Sequence, residues 1–152
     1  MKPFVFRLDS VLKIRAREEA HALEQFDHAI HARFQAQLEL NEARAELDRC
    51  EEAITEKRSG RSTGGDHVVF LNAARMQREC CDRLAARLEA ARKEMESRRE
   101  IFQTARRKHQ AVEKLRERQL RTHLASEQRR EETAISDLII SRHALNRDGA
   151  FA

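Results

Sequence analysis

His28 and His31 stand three residues apart, a spacing that on a helix would bring both imidazoles to one face, where they could share a metal ion. No cysteine or second ligand pair lies in register with them, so they read as solvated histidines. The three thiols, Cys50, Cys80 and Cys81, have no CxxC spacing, and an odd number makes no disulfide framework. Cys80–Cys81 reads as a half-buried pair beside a helix seam, and a reducing compartment suits all three. The strongest charge asymmetry lies between residues 98 and 130, where eleven Lys and Arg face four Glu, a net of +7. Such a run could grip phosphates, match an acidic protein partner, or be a solvated helix face. Apart from Phe102 it lacks stacking aromatics, and no nucleic-acid reading motif accompanies it, so no nucleic-acid partner is expected.

The elements that carry these residues are set by where the backbone breakers fall. Pro3, Gly60, Gly64, Gly65 and Gly149 are the only Pro and Gly, all at the chain ends or in one patch. Glycine costs about 1 kcal/mol and proline about 3 kcal/mol inside a helix, so residues 4–59 and 66–148 are free to form two very long helices. Ala, Leu, Glu, Arg and Gln dominate both, while β-branched and aromatic residues are sparse. With 37% charged residues and much of the 40% hydrophobic fraction supplied by alanine, a thick core is excluded and an elongated chain is expected.

A heptad seam runs through Leu84, Leu88, Ala91, Met95, Arg98, Phe102, Ala105, His109 and Val112, in steps of four and three. Leu40, Ala43, Leu47, Cys50 and Ile54 repeat the pattern in the first stretch. Phe26, Ile30, Phe34 and Leu38 step by four each time, which predicts a local unwinding there. Folding the chain at residues 59–66 sets Ile30 opposite Met95, Leu23 opposite Phe102, Leu40 near Leu84 and Leu88, and Leu12 near Val112. The fold expected is all-α: one coiled-coil domain over 1–152, with two long helices in an antiparallel hairpin and the second helix overhanging. Its parts are a helix over about 9–58, a turn over about 59–66, a helix over about 67–145 and a disordered tail over about 146–152. Asp9 or Ser10 would cap the first helix and Asp66 the second. The overhang would begin near residue 118 and carry an apolar cluster, Ala134, Ile135, Leu138, Ile139 and Ile140. On two helices of this kind there is no concavity to exclude water and shift a pKa, so no catalytic residue, cofactor or metal is expected and the chain is not read as an enzyme. No apolar run reaches the roughly 18 residues of a membrane span, nor is there a signal-peptide core.

The opening FVFRLDSVLKIRAREEAHAL (residues 4–23), with its F-x-F-x-L-x-x-V-L-x-x-R-x-x-E-E order, resembles the start of the bacterial flagellar export protein FliJ family. The stretch VEKLRERQLRTHLASEQRREETAISDLI (residues 112–140) resembles that family's C-terminal block, and the resemblance covers nearly the whole chain. It implies a cytoplasmic component of the flagellar type III export apparatus, held at the inner membrane only through partners. Such a component acts as a central stalk that binds and stimulates the hexameric export ATPase, FliI-like, and links it to an FlhA-like export gate and to substrate chaperones. Carried onto this chain, the ATPase-facing residues would be Phe4, Phe6, Leu8, Val11 and Leu12 with Leu115, Arg118, Leu120, Arg121 and Leu124. The gate-facing stripe would be Phe70, Ala74, Gln77 and Cys81. The competing readings are the equivalent stalk of a virulence injectisome and a generic coiled-coil scaffold with weak nucleic-acid binding.

Overall fold

The structure, a computed structural model, describes residues 3–60 and 64–148. The chain is all-α: helix α1 spans Asp9–Ser59 and helix α2 spans Gly64–Asp148, with no strand among the described residues. None of these helices is long and apolar enough to cross a membrane.

The helix ends depart from expectation in three places. Gly64, Gly65 and Asp66 belong to the first turn of α2 and not to the turn before it. No described glycine has a positive φ, so nothing obliges these glycines to leave helical geometry. Asp66 thus lies inside the first turn, where its charge suits the helix dipole, and is not the cap. At the other end α2 continues to Asp148, past the expected limit of 145. Residues 61–63 of the expected turn and 149–152 of the expected tail lie outside the described residues.

The start of α1 is built differently from the capping expected of Asp9 or Ser10. The Leu8 carbonyl accepts the Leu12 N–H at 2.9 Å, which makes Leu8 the cap position and Asp9 the first helical residue. The Phe6 carbonyl accepts the Asp9 N–H at 3.2 Å, and the Asp9 carboxylate pairs with Lys13 one turn on, at 2.7 Å.

The chain divides into two compact units, Glu18–Ala105 and the joined segments Met1–Arg17 and Arg106–Ala152. Helical side chains reach only neighbours at their own level, so distant levels share no contacts. In the Glu18–Ala105 unit the two helices form an antiparallel pair. Its core joins Ala36, Leu40 and Ala43 of α1 to Cys81 and Leu88 of α2, with Leu47, Leu84, Ala85 and Ala91 packed around them. Leu40 therefore meets Leu84 and Leu88 as the folding of the chain at the turn predicts. Phe102, however, stacks on Phe26 and not on Leu23, with centroids 6.1 Å apart and planes inclined by 12°. Two rings offset in this way bury more than Leu on Phe and add their own quadrupole attraction.

The stepping by four at Phe26, Ile30, Phe34 and Leu38 is not the packing pattern. Buried and half-buried positions in α1 follow Ala22, Phe26, Ala29, Ala36, Leu40, Ala43, Leu47, Cys50 and Ile54, a heptad in which only Arg33 is skipped. Ile30, Phe34 and Leu38 are exposed. Alanine at the seam lets the backbones approach closely, so the bulkier neighbours are left outside. Across this seam Arg78 pairs with Glu51 at 2.7 Å, Arg87 with Glu39, and the Gln77 amide donates to the Ala43 carbonyl at 3.0 Å.

A candidate partner-binding surface

The unit formed by Met1–Arg17 and Arg106–Ala152 holds most of the residues that the sequence singles out. Its distinctive part is the non-helical arm, residues 3–8, lying beside α2. Pro3 has no N–H to donate and a fixed φ, which suits an extended approach to a helix start. The arm alternates in burial: Phe4 is half-buried, Val5 exposed and Phe6 buried at 7%. The Phe4 ring lies 5.6 Å from the His123 ring, tilted by 44°. Beneath them opens a groove of about 500 Å³ lined by Pro3, Phe4, Val5, Leu115, Arg118, Gln119, Thr122, His123 and Ser126.

Three of the predicted ATPase-facing residues, Phe4, Leu115 and Arg118, thus meet in one groove. Leu8, Val11, Leu120 and Leu124 are exposed apolar side chains outside it, Leu12 is half-buried, and Phe6 is withdrawn into the interior. Arg118 and Arg121 are exposed and have no ion-pair partner among the described residues, so both guanidinium groups are available to carboxylates. Asp9 lies in the same unit. Its pKa is held below the ordinary aspartate range, first by the hydrogen bond from Lys13, then by that ammonium's charge, opposed by slight desolvation and aided by the charge of Arg116.

His123 and Ser126 are the half-buried residues that the sequence reading missed. Continuing the four-and-three steps from Val112 arrives at Arg116, Gln119, His123 and Ser126, so the phase was there, but the polar side chains hid it. Glu127, next along, is 7% exposed and pairs with Arg130 at 2.7 Å.

The overhang therefore starts later than residue 118. His123, Ser126 and Glu127 are still covered, and from there exposure is unbroken over 128–143. An extended residue advances about 3.3 Å against 1.5 Å in a helix, so residues 3–6 of the arm alone reach past about nine residues of α2. The apolar cluster of Ile135, Leu138, Ile139 and Ile140 lies within this free stretch.

The stripe Phe70, Ala74, Gln77 and Cys81 runs along the inner side of the helix pair, with Ala74 and Cys81 buried and Phe70 and Gln77 half-buried. Ala74 is 2% exposed, Cys81 belongs to the core, Gln77 is tied to the Ala43 carbonyl, and Phe70 lies under the Lys57 ammonium at 3.9 Å. Its steps of four, three and four continue the Leu84–Val112 seam in phase, which is why it is buried. The apolar side chains exposed at that end of the unit are Val68, Val69, Leu71 and Met76.

The remaining candidates are dispersed. His28 and His31 are exposed beside Glu24 and Asp27, at 4.0 and 3.6 Å. Cys50 and Cys80 are half-buried and Cys81 buried, all as free thiols.

No curated protein and no solved structure matches the chain. A family model described as flagellar FliJ protein matches residues 4–147, nearly the full length. That extent takes in the N-terminal arm, both helices and the free end of α2. The chain therefore belongs to the flagellar FliJ protein family, whose work is in flagellar type III protein export.

Proposed function

We propose that this protein is the central stalk of the flagellar export ATPase. Its terminal unit enters the ATPase ring, raises ring assembly and ATP turnover, and connects the ring to the export gate and to substrate chaperones. The protein itself performs no catalysis. The observation that carries this reading is the arm against α2: apolar side chains of Phe4, Leu8, Val11, Leu115, Leu120 and Leu124 are interspersed with the exposed guanidinium groups of Arg118 and Arg121. A surface of that kind suits a partner lined by apolar residues and carboxylates, with the charges steering encounter and register. The match to a flagellar family model favours the flagellar apparatus over an injectisome.

The gate contact is assigned to the outward side chains Val68, Val69, Leu71 and Met76 in place of the buried stripe. ATP hydrolysis and hexamer formation by the cognate export ATPase, measured with and without the purified chain, test the stalk role. Stimulation of both is expected, and a rate and assembly state left unchanged at saturating protein would contradict it.

A further inference from the structure

We propose that the free end of α2 pairs with the same segment of a second copy, antiparallel and centred near Asp137, giving a weak homodimer. One face of α2 carries Glu131, Glu132, Ile135, Leu138, Ile139 and Arg142 in sequence, at the three- and four-residue steps that align side chains along a helix. Ile135, Leu138 and Ile139 are 58%, 70% and 54% exposed, a contiguous apolar surface flanked by carboxylates on its N-terminal side and a guanidinium on its C-terminal side.

That charge order decides the occupant and its direction. Turned end for end about residue 137, the segment sets Ile135 level with the second copy's Ile139, Glu132 level with Arg142, and Glu131 level with His143. A parallel pair would instead oppose Glu131 and Glu132 to themselves and Arg142 to Arg142. Like charges in register destabilise a helix pair, so the segment is complementary to its own reverse alone. Arg142 and Glu131 have no ion-pair partner among the described residues, while the Glu132 carboxylate accepts the Gln128 amide one turn earlier, at 3.3 Å. The paired stretch, residues 131–143, is about 20 Å long. An interface of that size belongs with small, transient contacts, so the association depends on concentration.

Sedimentation velocity of the full chain from micromolar to millimolar concentration reads this directly. The mass is expected to rise from 17.7 kDa toward twice that value. Leu138→Lys should hold the chain at monomer mass with its helical circular dichroism unchanged. Glu132→Arg and Arg142→Glu should each weaken association several-fold, and the double exchange should restore it. A chain that stays at monomer mass throughout overturns the proposal and leaves the face to a different protein. So does a dimer indifferent to Leu138→Lys. A double exchange that fails to recover association overturns the antiparallel pairing.

Discussion

Gln77 of α2 donates its side-chain amide to the main-chain carbonyl of Ala43 on α1, at 3.0 Å, across the helix pair of the Glu18–Ala105 unit. A polar side chain thus occupies a seam position with its donor satisfied, and this fixes which residues of the two helices stand opposite. Gln77→Ala should cost about 1 kcal/mol through loss of the bond and of packing. Urea denaturation followed by circular dichroism measures it, and an unchanged midpoint would show that the bond contributes nothing.

Leu40 and Phe34 separate the packed face of α1 from its outer one. Leu40, 2% exposed in the middle of the core cluster, should lose about 3 kcal/mol on truncation to alanine. Phe34, 53% exposed, should tolerate Phe34→Ser within about 0.5 kcal/mol despite its size. Equal losses at the two sites in paired thermal melts would place the seam wrongly.

Gly64 and Gly65 open α2 with φ negative, and a Cβ added at either would meet nothing within 4 Å. Alanine at each should therefore stabilise by about 0.5 kcal/mol, chiefly by restricting the unfolded chain. A rise in Tm is the expected reading. A fall would mean that the turn needs glycine's conformational freedom after all.

Asp9 adds a small acid-dependent contribution to the terminal unit, small because its pair with Lys13 is open to solvent. Because its folded pKa is depressed, mainly by Lys13, its contribution is complete above the unfolded aspartate pKa and disappears as pH falls through the folded value. The stability difference between the native chain and Asp9→Asn should then be constant near neutrality and shrink below roughly pH 4. Melts across that range test it, and a difference that grows on acidification would reverse the sign.

Much of this was legible before any coordinates. Leu84 to Val112 announce the seam because the apolar side chains there are large and regularly stepped. Legibility failed where size and position part company. In α1 the seam is held by Ala29 and Ala36, which carry little hydrophobic signal, while Ile30, Phe34 and Leu38 carry much and stand outside. It failed again where the seam turns polar, at His123 and Ser126, and at Phe70 to Cys81, whose steps continue the packed seam. The start of the overhang was set too early for a geometric reason, since helical spacing cannot measure how far extended residues reach.

The stalk reading rests on Arg118 and Arg121 beside the exposed leucines of the terminal unit. Its most direct test is the affinity of the purified chain for the cognate export ATPase, titrated for the native chain, for Arg118→Glu/Arg121→Glu and for Phe34→Ser as a control. The account predicts that the double reversal weakens binding about tenfold or more while the control binds as the native chain does. Undiminished binding by the double reversal, with the helical spectrum intact, would contradict it.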